Sequence, residues 1–323
     1  MRAVIAGTGG YLPARAVGND ELAAERGLDT SDAWIRERTG IRARHFAAPG
    51  ETASDMGAAA ARAALGQAGA DPSEVDAVVV ATATPDSAFP STAALVQAKL
   101  GAPPGLAFDV SAACAGFVYA LGAAESLMRS GACRSALVVG TEVYSRILDW
   151  SDRGTCVLFG DGAGAVLLRA SDADGPGAPG LLSWHLHADG RHADILAVEG
   201  GAGSTGGPGV LRMAGREVFR HAVSKLASVV DEALAANGLA REEVRWLVPH
   251  QANIRIIEAM GKKLGLPPER VVVTVDRHAN TSAASIPLAL AEATRDGRIA
   301  RGDLVLMEAI GGGLAWGAAL ARY

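Results

Sequence analysis

The sequence predicts an α/β fold with buried sheets, built from two similar halves. Short apolar runs alternate with alanine-rich helical stretches, and one helix-to-strand pattern recurs about half a chain later. The chain has 323 residues, of which 49% are hydrophobic and 20% are charged. A chain of this size and composition can bury one large core or two fused smaller ones.

The individual elements follow from the two periodicities. Short runs rich in valine, isoleucine and leucine predict buried strands. These predicted strands cover 75–81, 106–110, 136–140, 156–168, 244–249, 271–275 and 304–308, with a further strand-like run at 182–186. Alanine-rich stretches predict helices at 57–69, 115–130, 221–237, 253–265 and 285–295.

A repeated segment indicates the duplication. The segments 64–76 and 233–245 both run from a helix end through a Glu-Val pair into a strand, at the same spacing. We therefore predict an N-terminal half, 1–172, and a C-terminal half, 173–323, with one topology. The ends of corresponding strands from both halves can then meet at one site.

Charge and cysteine content exclude several classes of protein. A formal net charge of -5 gives no overall positive field of the kind that binds nucleic acid. The first apolar run is soon interrupted by glycines, so we expect neither a signal peptide nor a membrane span. Cys114, Cys133 and Cys156 are odd in number and argue against a disulfide framework. The expected location is the cytoplasm, with reduced thiols.

Cys114 is the candidate nucleophile. It follows the predicted strand 106–110 and opens the helical stretch that begins at Ala115, so its sulfur lies at a helix N-terminus. The helix dipole and the free N–H groups there lower the pKa of a thiol. Small neighbours leave room for a substrate carbonyl, and the Cys114 N–H can donate to an oxyanion. A buried packing cysteine is the alternative interpretation.

An imidazole and a carboxamide complete the predicted constellation. His250 ends an apolar strand, and Asn280 follows the predicted strand 271–275. Open α/β folds collect their active sites at the carboxyl ends of their strands, which predicts that both groups lie near Cys114.

Three segments carry a family resemblance: DVSAACAGF at 109–117, PHQAN at 249–253 and NTSAAS at 280–285. They resemble the signatures of β-ketoacyl-acyl carrier protein synthase III, of the thiolase superfamily. Further similar segments are TSDAW at 30–34, RTGI at 38–41, FGDGAGA at 159–165 and GGGLAWG at 311–317. The resemblance thus runs nearly end to end, and it implies a thiolase-like fold with α-β-α-β-α layers.

The resemblance implies a decarboxylative Claisen condensation that initiates fatty acid synthesis. Cys114 would carry an acyl group received from acyl-coenzyme A, because a thioester remains a good acyl donor. His250 and Asn280 would hold the enolate formed when malonyl-acyl carrier protein loses carbon dioxide. The N–H groups of Cys114 and Gly312 would hold the oxyanion of acyl transfer. No metal or resident cofactor is implied, since coenzyme A arrives as part of the substrate.

The resemblance also implies binding residues, matched position by position. Those for coenzyme A are Thr30, Trp34, Arg38, Arg153, Gly215, Ala252 and Asn253, with Trp34 and Arg153 on the two faces of the adenine. An indole opposite a guanidinium is a plausible slot for a purine. The carrier protein would dock on Arg220, Arg255, Lys262 and Lys263, although a solvated face explains the same charges. Phe89 would reach the acyl pocket of a partner subunit, which predicts a homodimer.

Four departures from the family pattern concern the substrate. Ala279 stands where glycine is usual, Ile310 and Leu314 stand where aromatic residues are common, and Arg216 replaces a more frequent asparagine. Aliphatic residues in place of aromatic ones reshape a pocket, so the length and branching of the primer stay open.

Three other interpretations each fit a single feature of the sequence. The glycine-rich segment 7–12 resembles a dinucleotide loop, but it lacks the last glycine and an acidic ribose ligand. The histidines His185, His187 and His192 could suggest a metal site but have no obvious further ligand. The order Cys, His, Asn also occurs in papain-type proteases, whose cysteine signature is absent here.

Two other functions are compatible with the same residues. A specialised-metabolism relative would pass the acyl group on Cys114 to another nucleophile. A non-catalytic homologue would only bind acyl groups or the carrier protein. A degradative thiolase would need a second catalytic cysteine in the C-terminal half, and elongating synthases usually pair two histidines.

Overall fold

Two sheets at the centre of the molecule position the predicted site. The computed structural model describes residues 1–173, 175, 177–201, 203–204 and 207–323. Its strands are β1 (Arg2–Tyr11), β2 (Arg15–Gly18), β3 (Ala43–Phe46), β4 (Ala77–Ala81), β5 (Leu106–Val110), β6 (Ser135–Glu142), β7 (Gly162–Ser171), β8 (Gly180–Ala188), β9 (Leu196–Gly200), β10 (Pro208–Met213), β11 (Trp246–Pro249), β12 (Leu304–Gly311) and β13 (Ala315–Arg322).

The longer helices pack on the faces of the two sheets. They are α1 (Asn19–Arg26), α2 (Asp32–Thr39), α3 (Ala53–Ala68), α4 (Thr92–Leu100), α5 (Gly116–Arg129), α6 (Arg153–Cys156), α7 (Gly215–Ala236), α8 (Ile254–Leu264), α9 (Val275–His278) and α10 (Ser285–Arg295). Local chemistry fixes several ends. For example, Thr52 and Asp55 form a capping box at the start of α3, and Gly69 ends it with φ 60°.

The two sheets repeat one strand order. In the described part of the chain the first sheet runs β1-β7-β6-β4-β5 and the second runs β8-β13-β12-β11. Matching β1, β7, β6 and β4 with β8, β13, β12 and β11 makes the orders identical. The counterpart of β5 is reduced to a single parallel bridge between Leu247 and Val271. This order supports the predicted duplication, while the boundary between residues 172 and 173 stays a prediction.

Five layers result from the packing of these elements, as expected. The helices α5 and α10 lie between the two sheets, and their apolar residues join strands of both sheets in one core. The helices α3 and α4 cover the outer face of the first sheet. The helices α7 and α8 cover the outer face of the second sheet. The fold class and the α-β-α-β-α layering are therefore confirmed.

Two predicted strands were wrong in extent. The run 156–168 begins with the end of α6 and becomes a strand only at Gly162. In the run 271–275, Val271 forms a bridge, and α9 starts at Val275. The Gln251 side chain explains the second difference, because its Oε1 accepts the N–H groups of Thr274 and Val275. These donors are therefore not available to a neighbouring strand.

Candidate active site

The three residues of the predicted constellation line one cavity of about 450 Å³. Cys114 precedes α5, His250 follows β11, and Asn280 follows α9, so both halves of the chain contribute to it. All three side chains are buried, with 5%, 5% and 6% of their residue surfaces exposed. The cavity therefore brings a thiol, an imidazole and a carboxamide together away from bulk water.

Cys114 lies in a short 3-10 turn whose neighbours approach the backbone closely. A Cβ added to Gly311 would lie 2.5 Å from the Cys114 backbone nitrogen. A Cβ added to Gly116 would lie 3.1 Å from the Ala81 Cβ. Since real Cβ atoms do not come as close as the first distance, a glycine is needed at position 311 to seat Cys114.

The pKa of the Cys114 thiol differs from the value expected at a helix N-terminus. Burial raises the pKa of the Cys114 thiol to about 12, and the hydroxyl of Ser282, which lowers it, does not offset this effect. Desolvation of the thiolate in this buried place is the largest cause. At physiological pH this raised pKa keeps Cys114 a neutral thiol.

An aromatic wall lies beside Cys114. The Ser282 hydroxyl donates a hydrogen bond of 3.0 Å to the Tyr144 hydroxyl, and both groups lie next to the thiol. Tyr144 stacks on Phe159 with ring centroids 4.9 Å apart. Phe159 lines the cavity. Tyr144 was not predicted, because it lies outside the recognised motifs and reaches the site from the segment after β6.

Hydrogen bonds hold both the backbone and the ring of His250. Its backbone N–H donates to the Glu308 carbonyl at 2.8 Å, and its Nδ1 lies 2.7 Å from the Ser285 hydroxyl. Burial lowers the pKa of the imidazole to about 3. His250 is therefore neutral at physiological pH, and Nε2 is the ring nitrogen left for a substrate.

Asn280 is oriented by the backbone around it. Its N–H donates to the Leu158 carbonyl at 2.9 Å, and its carbonyl accepts the Gly160 N–H at 3.0 Å. The side-chain Oδ1 accepts the Ser282 N–H at 2.9 Å. This bond fixes which end of the amide is the oxygen and leaves the Nδ2 hydrogens as donors.

The departures from the family pattern have structural consequences. Ala279 adopts φ 57° and ψ -160°, a region that glycine occupies easily and other residues rarely. Ile310 lines the cavity, whereas Leu314 is fully buried in the core between the second sheet and α7. Of the two aliphatic departures, Ile310 is therefore the one that can shape the bound substrate.

The residues predicted for coenzyme A are divided between two places. Trp34, Arg38, Gly215, Ala252 and Asn253 line the cavity with the catalytic candidates. The Oδ1 of Asn253 also accepts the Ile256 N–H at 3.1 Å and thereby caps α8. Thr30 and Arg153 are not among the lining residues, and within the described ranges the Thr30 hydroxyl has no hydrogen-bond partner.

The predicted adenine slot is closed in this structure. The guanidinium carbon of Arg153 lies 5.2 Å from the centre of the Trp34 ring, and that of Arg38 lies 4.5 Å from it. A purine between Trp34 and Arg153 needs two contacts of about 3.5 Å each. The slot must therefore open by about 2 Å, and Arg153 also has to leave the Asp29 carbonyl to which it donates.

The basic residues form a broader surface than predicted. Arg255 lines the mouth of the cavity, as do Arg38 and Arg216. Lys262 and Lys263 lie at the other end of α8, about 11 Å along the helix. Arg220 is exposed on α7. The structure thus places Arg216, which was noted only as a departure, with the cations at the entrance.

Two other predicted residues, Phe89 and Gly312, are not among those that line the cavity. Phe89 is 85% exposed, which is unusual for a phenylalanine. Gly312 follows β12, and a Cβ added there would lie 2.5 Å from the Leu196 carbonyl oxygen. The roles of Phe89 and Gly312 remain predictions.

The three histidines that suggested a metal site do not lie together. His185 and His187 contact the carboxylate of Glu232 at 3.1 and 2.6 Å. His192 instead packs against His221, with ring centroids 4.3 Å apart. Among the described residues, no cluster of three or more candidate ligands could hold a metal ion. In the same residues no helix is both long enough and apolar enough to span a membrane.

Two buried carboxyls near the site were not predicted. Burial raises the pKa of Glu142 to about 7 and that of Glu308 to about 8. Glu142 accepts hydrogen bonds from the side chains of Thr82 and Thr84 at 3.2 and 2.7 Å. For Glu308, neither carboxylate oxygen has a hydrogen-bond partner in the described part of the chain.

Comparison with known proteins identifies a consistent set of relatives. Residues 108–190 match the family described as 3-oxoacyl-[acyl-carrier-protein] synthase III, and residues 234–323 match its C-terminal part. The chain is 66% identical over 323 residues to the beta-ketoacyl-[acyl-carrier-protein] synthase III of Acidiphilium cryptum, with all of both chains covered. It is 62% identical to that of Rhodospirillum rubrum, with 99% of both chains covered.

Solved structures agree with the sequence relatives. The 3-oxoacyl-[acyl-carrier-protein] synthase III of Aquifex aeolicus has a TM-score of 0.93 and 47% identity, covering 99% of this chain and 100% of that one. The priming β-ketosynthase of the R1128 polyketide pathway has a TM-score of 0.91 and 40% identity, covering 99% and 96%.

Proposed function

Because the chain belongs to the 3-oxoacyl-[acyl-carrier-protein] synthase III family, we propose that Cys114 is its acyl carrier and that His250 and Asn280 drive decarboxylation. The protein is a condensing enzyme that initiates fatty acid synthesis. The observation that supports these residue roles is the convergence of the three side chains on one buried cavity.

Acyl transfer to Cys114 is the first step. The sulfur attacks the carbonyl of an acyl-coenzyme A, a new S–C bond forms, and the oxyanion accepts hydrogen bonds from the N–H groups of Cys114 and Gly312. The thioester bond to coenzyme A then breaks, and its thiolate takes up a proton. The thiol of Cys114 supplies that proton, so charge balances over the step.

Decarboxylation is the second step. The bond between the carboxylate carbon and the α-carbon of malonyl-acyl carrier protein breaks, and its electron pair passes into a thioester enolate. The Nε2–H of His250 and the Nδ2–H of Asn280 donate to the enolate oxygen. Neutral donors suit this task, because a positive charge would also stabilise the starting carboxylate. The low pKa of His250 keeps it neutral.

Carbon–carbon bond formation completes the reaction. The enolate carbon attacks the acyl-Cys114 carbonyl, the C–S bond breaks, and the cysteine sulfur leaves as a thiolate that takes a proton from solvent to restore the thiol. The products are β-ketoacyl-acyl carrier protein, carbon dioxide and free Cys114. No step needs a metal or a resident cofactor.

The entrance of the cavity suits both substrates. Trp34 and Arg153 would bind the adenine of coenzyme A after the slot opens, with Thr30 and Arg38 beside it, and Gly215, Ala252 and Asn253 would line the path of the pantetheine arm. The exposed cations Arg216, Arg220, Arg255, Lys262 and Lys263 would attract an acidic carrier protein. The three unpaired cysteines suit the reducing cytoplasm.

A second copy of the chain would cover the open edge of the first sheet. Within the described residues β5 pairs only with β4, and Leu106 on it is 38% exposed. Open strand edges with apolar side chains favour pairing with another chain. A homodimer would also bury Phe89, whose exposed ring then has a partner surface. Light scattering of the purified protein tests this; a monomer at micromolar concentration would contradict it.

Release of carbon dioxide distinguishes the proposed reaction from its rivals. With acyl-coenzyme A and malonyl-acyl carrier protein, we expect carbon dioxide and a β-ketoacyl product. A relative that transfers acyl groups to another nucleophile releases none, and a binding homologue forms no adduct on Cys114. A panel of primers of graded length and branching, scored by adduct mass, then identifies the substrate.

A further inference from the structure

The hydroxyl of Ser285 contacts the imidazole of His250 in a fully enclosed place. Its Oγ lies 2.7 Å from His250 Nδ1 and 3.3 Å from the backbone nitrogen of Gln251. Ser285 is 2% exposed, and it is the first residue of α10. No bulk water reaches the contact, so these groups must satisfy one another.

The donors and acceptors of this contact determine the direction of each bond. The Gln251 N–H can only donate, so it uses one lone pair of the Ser285 oxygen. Within the described ranges the Ser285 hydroxyl has no acceptor other than His250 Nδ1. If Nδ1 carried a proton, the hydroxyl hydrogen would be left buried without a partner. The satisfied arrangement has Ser285 donating to a bare Nδ1.

We propose that Ser285 is a positioning residue that holds His250 in the tautomer with its proton on Nε2. This inference rests on the proposed function, because it explains how His250 is kept ready to donate to the enolate oxygen. The opposite tautomer presents a lone pair on Nε2, which repels the developing negative charge. The same hydroxyl orients the ring through a bond that remains when substrate is absent.

Nuclear magnetic resonance of the wild-type protein reads the tautomer directly. The probe is protein labelled with 15N-histidine, in which nitrogen–proton correlations distinguish a protonated ring nitrogen from a bare one. The chain has seven histidines, and loss of one signal set in a His250→Ala sample assigns His250. We expect protonation at Nε2 alone between pH 6 and 8. Protonation at Nδ1 would overturn the proposal.

Variants test the consequence for the reaction. Ser285→Ala should lower the rate constant of malonyl decarboxylation by about tenfold, the effect of one lost hydrogen bond of about 1.4 kcal/mol. Acylation of Cys114 should stay within twofold, and the His250 spectrum should gain the second tautomer. Ser285→Thr keeps the hydroxyl and should restore both rate and spectrum. Ser126→Ala, which removes a hydroxyl bonded to the Gly122 carbonyl on α5, is the matched control.

The outcomes separate this proposal from the proposed function. A Ser285→Ala protein with an unchanged tautomer and an unchanged decarboxylation rate would overturn the positioning role. If Ser285→Ala does not fold, the tautomer in the wild-type spectrum and the decarboxylation rate of Ser285→Thr still test the positioning role. If the wild-type protein has the Nε2 tautomer but releases no carbon dioxide, the proposed function is contradicted and the tautomer assignment is retained.

Discussion

The Oε1 of Gln251 accepts the backbone N–H of Thr274 at 2.8 Å and thereby ties the segment carrying His250 to the segment leading to Asn280. The same oxygen accepts the Val275 N–H at 3.0 Å. The Nε2 of Gln251 donates to the carbonyls of Pro249 and Val272 at 2.9 and 3.0 Å. One fully buried side chain thus sets the relative position of the two proposed enolate donors.

Gln251→Leu tests this link. The variant leaves the buried N–H groups of Thr274 and Val275 unpaired, so we expect a loss of about 2–5 kcal/mol in the free energy of unfolding. Decarboxylation should fall more than acylation of Cys114. The control Gln97→Leu removes a half-buried side chain whose exposed hydrogen bond goes to the Pro103 carbonyl, and it should change stability by less than about 0.5 kcal/mol. Equal denaturation curves for both variants would contradict the assigned role.

Ala279→Gly should stabilise the protein. The backbone of Ala279 lies in a region that costs about 1–3 kcal/mol for a residue with a side chain. Glycine relieves this strain, but it loses about 0.5–1 kcal/mol through its flexible unfolded state and about 0.8 kcal/mol through the buried methyl group of Ala279, for a net gain of about 0.5 kcal/mol. Ala63→Gly on the exposed face of α3 should lose about 1 kcal/mol. Chemical denaturation measures both, and a destabilised Ala279→Gly would be the contrary result.

Gly311→Ala should displace Cys114, the proposed nucleophile. Its Cβ would lie 2.5 Å from the Cys114 backbone nitrogen, so one of the two segments must shift. A shift of about 1 Å costs about a hundredfold in rate, which should appear in the acylation of Cys114 measured by mass spectrometry. Gly66→Ala, with no atom within 4 Å of the added Cβ, should acylate at the wild-type rate. Wild-type acylation of Gly311→Ala would show that the contact does not seat Cys114.

Glu308→Gln should change the dependence of stability on pH. The pKa of Glu308 is about 8 in the folded protein because of burial, and its ordinary value is 4.5. Between these values the folded state binds more protons than the unfolded state, so the contribution of Glu308 to stability falls as pH rises. The stability of Glu308→Gln relative to wild type should therefore rise by about 2–5 kcal/mol between pH 5 and 8.

The difference between two curves isolates this one group. His250 and Glu142 titrate in both proteins, so their contributions cancel. Glu21→Gln, which changes an exposed carboxylate in a surface ion pair with Arg15, should follow the wild-type curve. A Glu308→Gln curve parallel to wild type over the whole range would mean that Glu308 is not held protonated by burial.

Sequence patterns were sufficient for the residues that lie inside local motifs. Cys114, His250 and Asn280 each end a strand or adjoin a helix start, and the α/β topology then brings such ends together. The sequence also shows Ala279 at a position where the family usually has glycine. The positive φ of Ala279 explains why glycine is usual there. Ser285 and Gln251 stand within the quoted motifs, but their hydrogen-bond partners could not be read from spacing.

Other features depend on contacts between distant parts of the chain. Tyr144 reaches Cys114 only through the packing of the segment after β6, and apolar periodicity gives no sign of it. The predicted strand 271–275 failed because a side chain, that of Gln251, takes the backbone donors of this segment. The motif around Cys114 predicts a lowered thiol pKa, whereas burial, which the motif does not reveal, raises it.

Intact-protein mass spectrometry of Asn280→Ala, combined with a carbon dioxide assay, tests the central claim most directly. After incubation with an acyl-coenzyme A, the variant should carry one acyl group on Cys114, as the wild-type protein does. On addition of malonyl-acyl carrier protein, it should release carbon dioxide at least about a hundredfold more slowly, because one enolate donor is gone. Undiminished condensation by Asn280→Ala, or an acyl group attached anywhere but Cys114, would contradict the account.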